Sequence, residues 1–299
     1  MTDESTQQFE QWRRYLTGVA YRMLGSVSEA EDVVQDAYLR WHNTDHGAVE
    51  DARAYLTTVA SRLCLDRLRS ARHQRETYVG PWLPEPLVES PDTPMEVEAL
   101  ASDVSFALML ALERLSPLER VAFLLHDVFG LDFGQVAASL DRSEATCRQL
   151  ASRARKRVQA GRPRYRVTPD EHGEVADRFF MAARTGDVDA LQALLSEGAT
   201  LHADGGGKRI AALRLLEGVD RICRLFSAVA RRAESVDPPW VKRVNVNGLP
   251  GWLTIEEDGL PQVTMVDIDG GYIQAVYIIR NPDKLGHLVD HLPSGHRIH

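Results

Sequence analysis

Cysteine is scarce in this sequence: Cys64, Cys147 and Cys223 are the only three in 299 residues. They are far apart, odd in number, and lie in no CxxC or Cys/His pattern. This excludes a disulfide framework and a cysteine-based zinc site, because both need several cysteines at regular spacing. We therefore expect reduced, packed thiols and no metal site.

Long apolar runs are also missing. No stretch approaches the roughly 18 consecutive apolar residues of a membrane span, and the amino terminus MTDESTQQFEQW has neither a basic segment nor an apolar one. These features predict a cytoplasmic protein.

A positive net charge is missing as well, since the chain carries −8 at pH 7. This balance argues against a protein that binds nucleic acid over a generally basic surface. The length allows two or three domains. Any contact with DNA must therefore be local.

Such a local site is predicted at residues 132 to 159, DFGQVAASLDRSEATCRQLASRARKRVQ. Asp132 and Gln135 form a capping-box start for a helix that ends at Leu140, Asp141 suits a turn, and Ser143 can cap the next helix. The pattern predicts a helix-turn-helix.

One face of the second helix is apolar and the other is polar and mostly basic. From Arg142 to Arg166 there are nine Arg or Lys residues against one acid, Glu144, as expected for contact with phosphates. Alone, this pattern fits a solvated basic face equally well.

Residues 9 to 75 are predicted to be helical throughout. The segment SEAEDVVQDAYLRW carries acids on one side at helical spacing, and residues 53 to 75 carry six Arg against Asp66 alone. An exposed acidic stripe is by itself most often a solvated face.

Residues 76 to 99 contain five prolines and read as an extended linker. Its WLPEP segment, at 82 to 86, combines stiff proline geometry with an aromatic anchor, which favours docking on a neighbouring surface. The alternative is that the tryptophan only holds the linker in place by hydrophobic contact.

Helices are predicted again after the linker. Ser116 and Glu119 form a capping box, and residues 100 to 161 are expected to form a four-helix unit.

The segments AEDVVQDAYLR, RLCLDRLRSAR, LSPLERVAFLLHDVFGLDFGQVAASL and SEATCRQLASRARKRV together resemble the two domains of extracytoplasmic-function sigma factors of the sigma-70 family. Gln135 and Asp141 depart from the usual Glu and Gly of that family. The resemblance implies RNA polymerase core as a partner, through the clamp coiled coil of its largest subunit and its flap, and promoter DNA as a second partner.

The resemblance also implies roles for particular residues. Core binding is expected from Asp32, Gln35 and Asp36; −10 DNA binding from Tyr55, Arg62, Arg69 and Arg72; and −35 DNA binding from Ser143, Glu144, Arg148, Ser152, Arg155 and Lys156. Physical chemistry is consistent with these roles, because acids suit a basic coiled coil and cations beside aromatic rings suit an unstacked strand.

Residues 170 to 299 have a different pattern. Three helices are predicted, through Ala183, over DVDALQALLSEG and over LEGVDRICRLFSAVARRA, with TLHADGGGKR between the last two. Four β segments joined by turn signals follow Pro239. This order predicts an α+β domain with a curved antiparallel sheet, and it resembles the SnoaL-like, ketosteroid-isomerase-like cone fold of SigJ-like sigma factors.

Three motifs extend that resemblance: WLPEP, DGGGK at 204 to 208, and NPDKL at 281 to 285. Regulatory contacts are therefore expected from Trp82, Pro84, Glu85, Asp204, Gly205, Gly206, Gly207, Lys208, Asn281, Pro282 and Asp283. The ionisable residues His202, Asp204, Asp267 and Tyr272 fix no acid–base pair at a diagnostic spacing, so we expect no catalysis and no cofactor.

The prediction is a multidomain protein: a sigma region 2 domain (1–75), a Pro-rich linker (76–99), a region 4 helix-turn-helix domain (100–161), a short linker (162–169) and an α+β SnoaL-like domain (170–299). Its expected function is that of a sigma factor directing initiation at −10/−35 promoters, with a C-terminal domain that modulates its activity. The alternative is a one-component DNA-binding regulator whose C-terminal domain senses a small ligand.

Overall fold

The computed structural model describes residues 2–89, 106–159, 169–232 and 237–293; within these ranges the side chains of 2–4, 71–76, 159 and 169–171 are not described. The chain divides into two compact units. Unit 1 contains Met1–Thr77 and Ala107–Arg162, and unit 2 contains Tyr78–Phe106 and Pro163–His299.

The first stretch of unit 1 is helical, with two breaks that the sequence did not predict, at Gly25–Ser26 and between residues 43 and 51. Gly25 has a positive φ of 73°, and Ser26 accepts a hydrogen bond from Glu29 N, so the break is a cap between two helices. The helices are α1 (Thr2–Leu24), α2 (Val27–His42) and α3 (Ala52–Glu76), with a 3₁₀ turn at His46–Ala48.

The second stretch of unit 1 contains α4 (Phe106–Glu113) apart from its first residue, α5 (Pro117–Phe123), a π-helical turn (Leu124–Val128), α6 (Phe133–Leu140) and α7 (Glu144–Gln159). Predicted capping boxes are present at Ser116/Glu119 and Asp132/Gln135. Arg120, only 2% exposed, donates to Met23 O (2.8 Å) and Leu112 O (2.9 Å). Its guanidinium thus joins α5 to α1 and α4. Burial of this arginine is tolerated because backbone carbonyls accept its hydrogen bonds.

Unit 2 contains α8 (Pro169–Thr185), α9 (Val188–Leu194) and α10 (Val219–Ala230), together with β1 (Val88–Glu89), β2 (Leu195–Asp204), β3 (Leu216–Glu217), β4 (Trp240–Val246), β5 (Leu249–Ile255), β6 (Pro261–Asp269) and β7 (Tyr272–Ile279). Two 3₁₀ turns, Pro282–Lys284 and Gly286–His291, follow β7. The helices pack on the sheet around a core that includes Phe179, Leu191, Ile222, Trp252 and Val276.

Three predictions about this unit were wrong. The helix expected over DVDALQALLSEG ends at Leu194, because Leu195–Asp204 form a strand; the third helix begins only at Val219, because Leu216–Glu217 are also a strand. The sheet order is β1-β4-β5-β6-β7-β2-β3, and β2 pairs with β7 in parallel, so the sheet is mixed and not purely antiparallel. A parallel partner distant in sequence leaves no hairpin signal.

No helix within the described ranges is long and apolar enough to cross a bilayer.

Candidate promoter-binding and linker-docking sites

The helix-turn-helix is built by local signals. Asp132 accepts from Gln135 N (2.8 Å) and starts α6, and Asp141 then takes the left-handed conformation with φ of 53°. Ser143 Oγ accepts from Thr146 N (3.3 Å), so α7 starts directly after the turn.

The two faces of α7 separate as the sequence predicted. Its apolar stripe is buried: Cys147, Leu150, Ala151, Ala154 and Val158. On the other face lie the six expected −35 residues, of which Ser143, Glu144, Arg148, Ser152 and Lys156 are exposed and Arg155 is half-buried. Within this face Arg148 pairs with Glu144 (2.5 Å) and Arg155 with Asp127 (2.5 Å). A continuous, mostly basic surface is therefore open to solvent.

Glu119 of α5 forms ion pairs with α7. Its carboxylate accepts from Arg157 (2.6 Å) and lies 3.8 Å from Arg153. Burial raises its pKa, but the hydrogen bonds from Ser116 and the two guanidinium charges outweigh burial and hold the pKa of Glu119 below its usual value. The capping-box residue thus also orients α7, a role its sequence signal did not indicate.

The acidic stripe of α2 is ion-paired within the unit. Asp32 and Asp36 both contact Arg67 of α3, at 3.2 and 3.1 Å, whereas Gln35 is exposed. The Asp32 side chain remains 70% exposed and that of Asp36 46%. The stripe therefore still presents acceptors to solvent, and Arg67 is a partner that the helical spacing alone did not reveal.

The expected −10 residues lie along α3 but have different surroundings. Tyr55 Oη lies 2.9 Å from Thr44 Oγ1, and Arg69 pairs with Asp66 at 3.4 Å. Arg72 falls among the side chains that the structure does not describe.

Arg62 is bound to the helix-turn-helix. Its guanidinium donates to Ala138 O (2.8 Å) and Ser139 O (3.3 Å), and the neighbouring Thr58 Oγ1 lies 3.0 Å from Ser139 Oγ. These carbonyls belong to the last turn of α6, where helix geometry leaves acceptors unpaired, so a cation caps that end favourably. An expected DNA-contacting residue is thus engaged inside unit 1.

Asp204, at the end of β2, is the centre of the second site and is fully buried. Its carboxylate accepts from Tyr78 Oη (2.6 Å), Leu83 N (2.9 Å) and Lys284 Nζ (2.7 Å). Burial, and then the hydrogen bond to Asp204, raise the pKa of Tyr78, so its hydroxyl stays protonated as a donor. One side chain therefore connects the linker to the end of the strand.

Lys284 completes this site and was not among the predicted residues, although it lies within NPDKL. It is 6% exposed, donates to Leu83 O as well as Asp204, and lies 4.0 Å from the Trp82 ring centroid. An ammonium over an indole face is a favourable contact when water is excluded. The sequence placed Lys284 inside a motif, but its partners Leu83 and Asp204 lie 201 and 80 positions away, so no local signal marked its role.

The remaining motif residues surround this centre. Asn281 donates to Tyr78 Oη (2.9 Å), and Gly206 and Gly207 have positive φ of 61° and 73°. A Cβ at Gly206 would lie 2.3 Å from Asn281 Nδ2, so the turn needs glycine there. Pro84, Glu85 and Gly205 are buried. Pro282 starts the 3₁₀ turn, and Lys208 forms an exposed ion pair with Asp283 (2.6 Å). The three motifs therefore form one cluster.

The linker then joins the sheet. Val88 and Glu89 pair with Val246 and Asn245 of β4, and Glu89 also accepts from Gly248 N (3.1 Å). Asn247 accepts from Leu87 N (2.9 Å), so residues 78 to 89 are held against the rest of unit 2 at both ends.

The other ionisable residues singled out from the sequence, His202, Asp267 and Tyr272, lie in different surroundings. His202 lies against Tyr277 and Tyr272 is 53% exposed. Burial and the nearby Asp269 raise the pKa of Asp267, with His172 opposing them. Among the described residues, no group of three or more His, Cys, Asp or Glu side chains is placed to hold a metal ion.

Comparison with known proteins gives these sites a context. Residues 8–74 match the family "Sigma-70 region 2" and residues 105–158 match "Sigma-70, region 4". The chain is 43% identical over 291 residues to the ECF RNA polymerase sigma factor SigJ of Mycobacterium tuberculosis, covering 93% of this chain and 92% of the relative. The chain belongs to the ECF sigma factors. A probable ECF sigma factor of the same organism, SigI, is 33% identical and covers 95% of each chain.

Structural comparison agrees with this assignment. The crystal structure of M. tuberculosis SigJ matches this sigma factor with a TM-score of 0.76 and 40% identity, covering 94% of this chain and 98% of the other. The resemblance drawn from the motifs is confirmed, as is the predicted fold of two helical sigma domains followed by an α+β SnoaL-like domain.

Proposed function

We propose that this sigma factor binds RNA polymerase core and directs it to promoters through −10 and −35 contacts. The observation that supports this most is the exposed, mostly basic face of α7, presented by a capped helix-turn-helix in the chain of an ECF sigma factor. Arg148 lies one turn into α7 and suits a bidentate contact to guanine, whereas Arg155 and Lys156 suit phosphates.

In vitro transcription with core polymerase and a promoter library tests this function. Transcription from particular promoters only when core and this protein are both present is expected. Tight, sequence-specific duplex binding by the protein alone, with no core-dependent transcription, would favour a one-component regulator.

The core contact is proposed to lie on the acidic stripe formed by Asp32, Gln35 and Asp36, against the clamp coiled coil, with the region 4 domain on the flap. Asp32→Ala combined with Asp36→Ala is expected to weaken core affinity, because each close interface charge pair can contribute ~1.5 kcal/mol or more. Surface plasmon resonance with core measures the effect.

Arg67→Ala is the matched control for that experiment. It removes both ion pairs of the stripe while leaving its carboxylates in place. Core affinity should then be kept or increased. A loss equal to that of the double Asp variant would mean that the acids only hold α2 against α3.

We further propose that the cluster of Trp82, Asp204 and Lys284 is regulatory, because it fixes the segment joining the −10 and −35 domains. Tethering within one chain supplies an effective concentration of order mM, so a modest contact is occupied without another protein. Removing residues 170 to 299 should therefore change promoter activity.

A double-mutant cycle separates regulation from independent local effects. Trp82 contacts Lys284, and Lys284 bonds Asp204; Trp82→Ala and Asp204→Ala should therefore change single-round transcription non-additively. Strict additivity, with small-angle scattering unchanged, would limit the motifs to a folding role.

A further inference from the structure

Arg148, the proposed base-reading residue of α7, is held by two neighbours. Glu144 Oε2 accepts from its Nη2 at 2.5 Å, and the Arg148 Cζ lies over the Phe133 ring, 5.2 Å from its centroid. Glu144 belongs to α7, but Phe133 comes from the first helix of the motif. The guanidinium is therefore positioned jointly by both helices.

Phe133 is itself held in place. It is the first residue of α6 and lies inside the capping box formed by Asp132 and Gln135. Its ring stacks on His126 with centroids 3.9 Å apart and an interplanar angle of 26°. His126 Nδ1 in turn donates to Leu131 O at 2.8 Å. The aromatic surface beneath Arg148 is thus fixed by the backbone on both sides of the turn into α6.

Glu144 lies beside the same helix end. A Cβ on Gly134 would lie 3.6 Å from Glu144 Oε1, so this carboxylate sits beside the first turn of α6. An anion is favoured at that position because the first amides of a helix carry partial positive charge. Both neighbours of Arg148 therefore lie at the start of α6.

This fixation is relevant to base reading because a bidentate contact to guanine demands one orientation of a planar guanidinium. The Arg148 side chain is 57% exposed, and an unrestrained arginine of that exposure samples many rotamers. A side chain that is already oriented loses less conformational freedom on binding. The fixed orientation also fits only the base that matches it.

We propose that Phe133 is a specificity-determining residue that acts by orienting Arg148 for the −35 element. The inference rests on the proposed base-reading role of Arg148. Phe133 is a positioning residue and needs no contact with DNA of its own.

The test uses the full chain with core polymerase in single-round transcription from a library randomised over the −35 element. Phe133→Leu keeps an apolar side chain but removes the aromatic face, whereas Phe133→Tyr keeps that face. Phe133→Leu should reduce discrimination at the base pair that Arg148→Ala also relaxes, by about 2- to 5-fold, the size of an exposed cation–π contact. Phe133→Tyr should retain wild-type discrimination, and Lys156→Ala should weaken all promoters alike.

The controls separate this inference from the proposed function. If Arg148→Ala changes no base preference, the base-reading assignment fails and the inference fails with it. If Arg148→Ala relaxes one position and Phe133→Leu does not, only the inference fails. An effect of Phe133→Leu that persists in the Arg148→Ala background would likewise overturn it, because the substitution would then act through the fold.

Discussion

At the scale of single residues, the pair of Lys284 and Asp204 shows how much depends on burial. Their side chains are 8% and 0% exposed and their charged atoms lie 2.7 Å apart. Removing charges from water costs several kcal/mol per ion, which a close pair offsets only when further hydrogen bonds are present. Tyr78, Leu83 and the Trp82 ring supply those contacts.

Lys284→Met should therefore destabilise unit 2 by about 3 kcal/mol, because it leaves the Asp204 carboxylate buried without its cation. Lys208→Met is the control: its bridge to Asp283 is more than half exposed on both sides and should contribute less than about 1 kcal/mol. Hydrogen exchange at β2 and β7 of the full chain reports unit 2 separately. Equal protection in the two variants would contradict this prediction.

The sequence could identify Trp82 and Asp204 as motif residues, but not that Tyr78 and Lys284 join them. Tyr78 meets Asp204 across 126 positions of the chain, and Lys284 across 80. No local periodicity encodes such pairs. Arg67 was missed for the same reason, since helical spacing identifies an exposed acidic face but not the neighbouring helix that neutralises part of it.

At the scale of elements, Asn247 shows how one turn serves two strands. It is fully buried with a positive φ of 48°, which Asn tolerates better than most residues, and with Gly248 it turns β4 into β5. Its side chain accepts from Leu87 N and its backbone N–H donates to Leu87 O (3.0 Å). The turn therefore also positions the start of β1.

Asn247→Gly should keep the hairpin but release the linker. Glycine adopts the positive φ freely, so β4 and β5 remain paired, while the lost side-chain acceptor should cost about 1 kcal/mol at Leu87. Amide exchange measures this: protection at Leu87 should fall, and protection within β4 and β5 should remain. Unchanged protection at Leu87 would show that strand pairing alone fixes the linker.

Elements were predictable where their signals were local. The four strands after Pro239 and the capped helices of the helix-turn-helix were found from turns, caps and periodicity. β2 was not, because DALQALLSEG continues a helical pattern while Ala199, Leu201 and Ala203 alternate into the core only over the following residues. Pairing with β7 outweighs the helical preference of its first residues.

At the scale of the molecule, the packing of unit 1 conflicts with simultaneous promoter contacts. The −10 and −35 elements are centred about 25 base pairs apart, or about 85 Å at 3.4 Å per pair. The proposed binding helices, α3 and α7, have 25 and 16 residues, so they are about 38 and 24 Å long. They belong to domains that touch where Thr58 meets Ser139 at 3.0 Å. Helices of these lengths cannot reach both elements until that contact opens.

A reversible crosslink at this contact tests whether opening is needed. The Oγ atoms of Thr58 and Ser139 lie 3.0 Å apart, so cysteines at these two positions would have their sulfur atoms as neighbours. Thr58→Cys combined with Ser139→Cys should therefore crosslink on mild oxidation.

The native cysteines should not interfere, because all three are buried and burial raises the pKa of each thiol. The oxidised variant should lose most of its transcription, because a covalent link keeps α3 against α6 and leaves only the uncrosslinked fraction able to reach both elements. Reduction should restore activity, and each single variant should remain active under both conditions. An oxidised, fully crosslinked protein that transcribes as well as the reduced one would mean that both promoter elements are reached without separating α3 from α6.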